Sequence, residues 1–269
     1  MSTAQHPMQY DFFARTDCGR VRTNNEDAVS IDAQANIAVL ADGMGGYNAG
    51  EVAAGMATNF IRTEMGRWLA QIATVPSGYD IRRALEICVD NANQAIYSAA
   101  QSNPEYAGMG TTLVAGVFSG DRLVLGHVGD SRCYRLRAGA LKQLTRDHSW
   151  LQEQLDAGLI TPQQAAVSSS RNLVTRALGV EPLVLVEINE FKIDSNDLFL
   201  MCSDGLSEML NAGEIAAIAT TDASLEEKTT RLIAAANANG GRDNISVLLV
   251  QAGQTQRKPG FMSRWLRAA

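Results

Sequence analysis

The segment 111–136, TTLVAGVFSGDRLVLGHVGDSRCYRL, restricts the fold more than any other part of the chain. It is rich in apolar and β-branched residues, it turns at SGD, and GDS interrupts its second apolar stretch, so the pattern predicts three successive strands. Similar apolar runs end in carboxylates at 37–42 (IAVLAD) and 198–204 (LFLMCSD). Strands joined by tight turns favour antiparallel sheets over a doubly wound parallel sheet.

Helical patterns lie between and after these strands. Residues 50–72 and 79–100 carry apolar side chains at three- and four-residue spacing, which predicts two long helices. Asn211 and Ser224 are the expected N-caps of two later helices. The shorter helices are predicted at 149–157, 212–219 and 224–237. Helices outside antiparallel sheets indicate an α+β fold.

Charge and cysteine usage narrow the class of protein. The 269 residues carry a net charge of −6, which argues against a general nucleic-acid binder and fits a protein that gathers cations. Four cysteines without a CxxC pair indicate free thiols in a reducing cytosol. The N-terminus lacks the pattern of a signal peptide, and no apolar run is long enough to span a membrane. We therefore expect a cytoplasmic protein.

The last sixteen residues differ from the rest of the chain. The tail 254–269, QTQRKPGFMSRWLRAA, holds four basic residues and no acidic one. We expect one domain over 1–253, followed by a solvated or self-docked tail. A partner-binding or interfacial helix is the alternative reading of that tail.

Acidic residues recur where predicted strands begin or end. A single Asp-Gly at such a place is usually a turn, but buried carboxylates need cations, and several strand ends share the pattern. With few histidines and no suitable cysteine set, the fitting cation is Mg²⁺ or Mn²⁺. The residues concerned are Glu26, Asp27, Asp42, Asp130, Asp204 and Asp243.

Other kinds of site fit the residues poorly. His6, His127 and His148 are isolated in the sequence and lack the spacing of a zinc site. The loop DGMGG lacks the GK[ST] ending of a nucleotide-binding loop. No GxSxG elbow is present, and neither Cys18 nor Cys202 begins the Cys-x5-Arg loop of a cysteine phosphatase.

Eight motifs in order carry a family resemblance from Asp17 to Val250. The chain resembles the type 2C metal-dependent Ser/Thr protein phosphatases (the PPM family), bacterial branch. The resemblance implies a sandwich of two antiparallel sheets flanked by helix pairs, in four α-β-β-α layers. The motifs are DCGRVRTNNEDA, ADGMGG, GMGTTLV, VGDSRCYRL, LTRDHSWLQEQLDAGLIT, RNLVTRALG, LMCSDGL and GGRDNISVLLV.

The resemblance also implies a set of metal ligands. Asp42 would bridge two Mn²⁺ or Mg²⁺ ions, and the Gly43 carbonyl would bind one of them. Asp204 and Asp243 would complete the other. Asp130, together with Asp204, matches the position of a third, weaker ion. Asp42, Asp204 and Asp243, with Arg22, form the expected catalytic set.

Three residues of the segment 22–30, RTNNEDAVS, have other implied roles. Arg22 would receive the substrate phosphate, because its planar fork suits phosphoryl oxygens. Glu26 and Asp27 would hydrogen-bond metal-bound waters. Thr111, Thr112 and Ser131 are expected to support the fold by hydrogen bonding.

The implied activity is hydrolysis of phosphoserine and phosphothreonine on proteins by a hydroxide shared between two metals. The expected partners are phosphorylated proteins and a cognate bacterial Ser/Thr kinase, and the expected state is a monomer. One alternative is a catalytically silent phosphoprotein-binding module on the same fold. Another is an enzyme that acts on anti-sigma-antagonist proteins.

Two positions depart from the family pattern. Met44 stands where animal members have a histidine, so the general acid is unassigned, and metal-bound water is the expected donor. The flap 158–172 has SSSRN where many bacterial members have His-Pro before the arginine. Substrate preference and any contribution of Asn172 to the third ion are therefore open. His148 is expected to cap the helix at 149–157.

Overall fold

The chain alternates between strands and paired helices in the order that the sequence predicts. The structure, a computed structural model, describes residues 8–45, 49–166 and 173–254. The predicted tail after Gln254 and the flap residue Asn172 lie outside the described residues. The strands are β1 (Met8–Asp17), β2 (Asp27–Asp32), β3 (Ile37–Met44), β4 (Gly110–Thr111), β5 (Leu113–Ser119), β6 (Arg122–Val128), β7 (Arg132–Arg137), β8 (Ala140–Gln143), β9 (Glu187–Lys192), β10 (Leu198–Cys202) and β11 (Ile245–Gln254).

The helices confirm the long predicted segments to within two residues. Asn211 and Ser224 accept hydrogen bonds from backbone N–H groups of the first turn, and each forms a capping box with the glutamate three residues later. The helices are α1 (Ala49–Gln71), α2 (Gly78–Ser102), α3 (Trp150–Asp156), α4 (Pro162–Ala166), α5 (Asp204–Ser207), α6 (Ala212–Ala219) and α7 (Leu225–Ala238), with a 3₁₀ turn at Pro104–Tyr106. Among the residues that the structure describes, no helix combines the length and apolar character needed to cross a membrane.

Two antiparallel sheets hold the strands. The first has the order β1-β11-β10-β7-β8, and the second has the order β2-β3-β5-β6-β9, with β4 added to β3. β3 shows why the layers form, since Ile37 to Ala41 are all fully buried. Successive side chains of a strand point to opposite faces. Val39 therefore packs toward α1 and α2, while Ala38 and Leu40 enter the core between the sheets.

Three apolar clusters fill the spaces between four layers. One joins α1 and α2 to the second sheet, one lies between the sheets, and one joins the first sheet to α5, α6 and α7. Phe118 lies at the centre of the middle cluster, with ring contacts to Tyr10, Phe12 and Phe199. The α+β sandwich predicted by resemblance is confirmed. The domain boundary at 253 stays a prediction.

The chain passes directly from one sheet to the other at residues 129–131. β6 belongs to the second sheet and β7 to the first, so GDS joins the two sheets instead of forming a hairpin. Gly129 makes this passage with a φ of 101°, and a Cβ there would lie 2.7 Å from the Thr112 side chain. The predicted interruption is correct, and its effect is to place Asp130 between the sheets.

Candidate metal and phosphate site

Strand ends from both sheets converge at one end of the sandwich. β3 ends there, β2 and β11 begin there, and β10 leads there into α5. The antiparallel pairing brings these ends together, and they enclose a cleft of about 350 Å³. Seven of the eight predicted site residues line the cleft: Arg22, Glu26, Asp42, Gly43, Asp130, Asp204 and Asp243.

The eighth, Asp27, lies beneath the cleft and faces Asp42 across the β2–β3 ladder. Asp27 is only 7% exposed, and burial raises the pKa of its carboxyl to about 6. Burial also raises the pKa of Asp42 well above its usual range, and the charges of Asp27 and Asp204 add to the effect. A divalent cation would offset these costs, because it favours the ionised form of each carboxyl.

Asp130 and Asp204 form the part of the cleft on the side of the first sheet. Burial raises the pKa of Asp130 to about 6, and the charge of Asp147 contributes. Burial likewise raises the pKa of Asp204, and the nearby charge of Asp130 is the next largest cause. The charge of Asp130 therefore disfavours ionisation of Asp204, and a cation shared by the two carboxylates would relieve this.

The donor set fits a hard cation and its water ligands. Carboxylate and carbonyl oxygens are the ligands that Mg²⁺ and Mn²⁺ prefer. The Ser203 hydroxyl donates to Asp27 Oδ2 at 2.8 Å, whereas Asp27 Oδ1 is buried and has no hydrogen-bond partner among the described residues. A buried acceptor without a donor matches the role of binding a water held by a metal.

Glycine at position 43 lets the backbone pass close to two other segments. A Cβ on Gly43 would lie 2.1 Å from the Gly50 carbonyl oxygen and 2.6 Å from the Glu26 carbonyl oxygen. The Gly43 N–H donates to that Glu26 carbonyl at 3.1 Å. The Glu26 carboxylate is just as close to α1, because a Cβ on Gly50 would lie 2.5 Å from Glu26 Oε2. These contacts hold Glu26 and the Gly43 carbonyl next to Asp42.

Arg22 lies on the rim of the cleft, as predicted, and contacts a predicted metal ligand. Its Nη2 donates to Asp243 Oδ2 at 2.7 Å, and its side chain is 56% exposed. This hydrogen bond to Asp243, together with the charge of that carboxylate, raises the pKa of the guanidinium. Since one contact uses only one of five N–H donors, the other donors can bind an anion from solvent.

Asn244 organises the site and was missed by sequence reasoning. Its Nδ2 donates to the backbone carbonyls of Cys18 and Asn24 at 3.1 and 2.8 Å, and its Oδ1 accepts from the Glu26 N–H at 2.8 Å. One buried amide thus fixes the loop that carries Arg22 and Glu26. The only sequence signal was its place in the motif GGRDNIS.

Hydroxyl groups support the ligands from behind, as predicted. Thr112 Oγ1 accepts from the Asp42 N–H at 3.0 Å, and it lies 2.8 Å from the Ser131 hydroxyl. The Thr111 hydroxyl donates to the Asp42 carbonyl at 2.8 Å. The predicted supporting role of these three residues is confirmed.

Two histidines that are far apart in sequence meet behind Asp130. The rings of His127 and His148 lie 4.7 Å apart, and with Glu187 they form a group that could hold a metal. The prediction that His127 and His148 are isolated is therefore wrong for the folded structure, in which the two rings are neighbours. Burial lowers the pKa of both rings, that of His127 to about 3, so both are neutral near pH 7.

Hydrogen-bond partners indicate which nitrogen of each ring carries its proton. His148 Nδ1 accepts from the Gly129 N–H at 3.1 Å, which leaves the proton on Nε2, facing Glu187 Oε2 at 3.4 Å. The His127 Nε2–H donates to the Ser131 carbonyl at 3.0 Å. A zinc ion needs lone pairs from both rings, and His148 has none left to offer. The group therefore supports the 129–131 crossing.

The predicted capping role of His148 is wrong. Ser149 is the N-cap of α3, since its hydroxyl accepts from the Gln152 N–H at 3.3 Å. His148 instead donates its backbone N–H to the Gly129 carbonyl at 2.8 Å. This contact brings the start of α3 next to the crossing that holds Asp130.

Comparisons with known proteins agree with this geometry. The family model described as Protein phosphatase 2C matches residues 16–249. The serine/threonine phosphatase stp of Listeria monocytogenes is 39% identical over 246 residues, which cover 90% of this chain and 96% of that protein. The crystal structure of the Mycobacterium tuberculosis serine/threonine phosphatase PstP/Ppp superposes with a TM-score of 0.81 at 37% identity, covering 90% of this chain and 98% of that one.

One further solved structure with a similar fold contains metal ions. The catalytic domain of serine threonine protein phosphatase PstP, in complex with two manganese ions, superposes with a TM-score of 0.80 at 36% identity. It covers 92% of this chain and all of that one.

Proposed function

The chain belongs to the protein phosphatase 2C family of metal-dependent Ser/Thr protein phosphatases, and we propose that its carboxylate cleft hydrolyses phosphoserine and phosphothreonine on proteins. The observation that carries the proposal is the convergence of five aspartates and Glu26 from several strand ends, with the exposed guanidinium of Arg22 at the rim. A cleft that is anionic in its depth and cationic at its edge suits a bound phosphate with cations beneath it.

Two Mn²⁺ or Mg²⁺ ions would be held by Asp42, the Gly43 carbonyl, Asp204 and Asp243. Asp130 and Asp204 would hold a third, weaker ion. When bound, such ions supply a water that is deprotonated near neutral pH and positive charge against the phosphoryl oxygens. Manganese in the PstP catalytic domain supports this assignment.

Arg22 would bind and orient the phosphate. Its exposed guanidinium has donors left beside the one on Asp243, and a planar fork matches two phosphoryl oxygens. A charged contact of this kind would fix the position and orientation of the phosphate in the cleft. Glu26 and Asp27 would accept hydrogen bonds from water in the cleft, Asp27 through its unpartnered Oδ1.

The leaving serine or threonine oxygen would take its proton from water. Met44 lines the cleft at the position of the animal histidine, and a thioether has no proton to donate. The displacement needs no covalent enzyme intermediate, because the attacking water comes from the cleft itself.

The natural partners would be phosphorylated proteins and a Ser/Thr kinase whose action the chain reverses. The protein would act as a cytoplasmic monomer, with residues 1–253 as one domain and the tail 254–269 outside it. Four free cysteines support a reducing compartment.

Hydrolysis of a phosphothreonine peptide with Mn²⁺, with Mg²⁺ and with EDTA tests the proposal. We expect phosphate release with metal and none with EDTA. Asp204→Asn should remove turnover while the circular-dichroism spectrum stays that of the wild type. A folded wild-type chain that is inactive with either metal but still binds the phosphopeptide would instead support the silent binding module.

A further inference from the structure

A second cavity adjoins the catalytic cleft. It has a volume of about 510 Å³ and is formed mainly by the segment 174–185. Met44 and Val174 line both the cleft and this cavity. The two spaces therefore lie next to each other, with Met44 and Val174 at their shared boundary.

The second cavity, called the apolar groove below, displays large hydrophobic side chains to solvent. Val180, Leu183 and Leu185 are 53%, 84% and 78% exposed. Val184 and Val186 pack on the core beneath α1 and α2. Because the direction of side chains alternates in an extended chain, Leu183 and Leu185 face outward together. Exposed apolar side chains that lie together beside a cleft are typical of a surface that contacts a ligand or a partner.

Buried hydrogen bonds hold the turn of this segment in place. Asn93 of α2 is only 1% exposed, and its Nδ2 donates to the Glu181 carbonyl at 3.0 Å. Its Oδ1 accepts from the Gly179 N–H at 2.8 Å. Gly179 has a φ of 84°, and a Cβ there would lie 2.3 Å from Ile96. The apolar side chains are thus presented by a fixed backbone.

The segment 174–185 is also hydrogen-bonded to β4, which pairs with the strand that carries Asp42. Leu178 exchanges two backbone hydrogen bonds with Thr111, at 2.8 and 3.0 Å. The Thr111 hydroxyl donates in turn to the Asp42 carbonyl at 2.8 Å. The groove therefore keeps a constant position relative to the residue that would hold both metal ions.

We propose that the apolar groove binds the substrate polypeptide next to its phosphorylated residue and selects an apolar side chain there. The inference rests on the proposed phosphatase function and adds a sequence preference to it. An extended chain advances ~3.3 Å per residue, so residues within three positions of the phosphoresidue lie within about 10 Å of it. The groove borders the cleft at Met44 and Val174, and such residues are therefore the ones that could enter it.

The groove favours an uncharged occupant. Its charged lining residues are Arg176 and Glu181, one of each sign, and its other lining side chains are mainly apolar. Met44 is well suited to the shared boundary, because its flexible, polarisable thioether adapts to different apolar neighbours. A charged substrate side chain in the groove would incur a desolvation cost, and the opposite charges of Arg176 and Glu181 give the groove no net charge to offset it.

Steady-state kinetics on a peptide panel test the proposal. Each peptide carries one phosphothreonine and a single leucine, placed in turn at each of the three positions on either side, with serine elsewhere. We expect leucine at one or two of these positions to raise kcat/KM about tenfold. This is the low end of the range for an apolar contact, because the groove is open to solvent. Leu183→Ser and Leu185→Ser should remove that gain.

Two controls separate the groove from the catalytic centre. Hydrolysis of p-nitrophenyl phosphate, which has no flanking chain, should be unchanged in both leucine variants. Val75→Ser replaces an equally exposed side chain, 80% exposed, in the turn before α2, and should keep the preference of the wild type. Both leucines are exposed, so the variants should retain the melting temperature of the parent.

Three outcomes would overturn the inference alone. Equal kcat/KM for every leucine position, with p-nitrophenyl phosphate still hydrolysed, would refute the groove and leave the phosphatase standing. A preference that survives Leu183→Ser and Leu185→Ser would place the apolar subsite elsewhere. A concentration-dependent dimer that dissociates in Leu183→Ser, with unchanged peptide kinetics, would make the groove an interface between copies of the chain. Failure on every phosphoester would overturn the proposed function as well.

Discussion

Replacing Asp130 with asparagine should stabilise the metal-free protein at neutral pH, although it removes a proposed metal ligand. Burial raises the pKa of the Asp130 carboxyl to about 6 in the folded state, against about 3.9 in an unfolded chain. Each pKa unit corresponds to about 1.4 kcal/mol, so ionising Asp130 costs the folded state about 3 kcal/mol at pH 7. Asparagine has nearly the same shape and carries no charge.

The pH dependence follows from the direction of that change. A raised carboxyl pKa means that the folded state binds the proton more tightly, so the wild type loses this stability as the pH rises from about 4 to about 6. Above pH 6 the cost is complete, and below pH 4 both states are protonated. The advantage of Asp130→Asn should therefore be about 3 kcal/mol at pH 7 and close to zero at pH 4.

Urea denaturation in EDTA at pH 7 and at pH 4 measures both quantities. Asp11→Asn, on the exposed face of β1, removes one negative charge from the surface and should show no comparable gain. The reasoning is refuted if Asp130→Asn is no more stable than the wild type at pH 7. It is refuted equally if the gain is the same at both pH values, since the gain would then not come from ionisation.

Three other substitutions test separate parts of the site. Arg22→Ala should raise KM for a phosphopeptide about tenfold, because a charged contact is lost. Arg20→Ala, at an exposed neighbouring position, should leave KM near the wild-type value. An unchanged KM in Arg22→Ala would place the phosphate elsewhere. Gly43→Ala should cost about 2 kcal/mol or more of unfolding free energy, since its Cβ would lie 2.1 Å from a carbonyl oxygen. The matched control in urea denaturation is Gly55→Ala, where a Cβ meets nothing within 4 Å, and equal stability of the two variants would contradict the close approach. Asp243→Asn should abolish metal-dependent turnover and weaken Mn²⁺ binding in calorimetry, and an active variant would exclude this carboxylate as a ligand.

Local patterns predicted the elements whose boundaries depend on nearby residues. The apolar period identifies α1 and α2, and capping residues identify α6 and α7, because periodicity and caps act over three or four residues. The family motifs identified seven residues that line one cleft. Each of those motifs ends or begins a strand, so antiparallel pairing within the sheets and the 129–131 crossing between them bring these residues together.

Long-range placement could not be read from the same patterns. Nothing in the apolar run at 111–136 indicates that β6 and β7 belong to different sheets, since both sheets bury both faces. His127 and His148 come together because of that crossing. Their spacing in the sequence therefore does not indicate the contact. Asn244 was missed because its importance lies in three backbone partners more than 200 residues away.

The division of the acidic residues between two sheets also affects how the molecule moves. Asp27 and Asp42 belong to the second sheet, and Asp204 and Asp243 stand at strand ends of the first. Ionised without bound cations, these carboxylates would repel one another across the two sheets, whereas aromatic contacts of Phe118 hold the middle of the sandwich together. Without divalent ions, the end of the sandwich that carries these carboxylates should open locally and exchange its amide hydrogens faster than the interior. The extent of this local opening would then depend on the concentration of divalent cations in the cell.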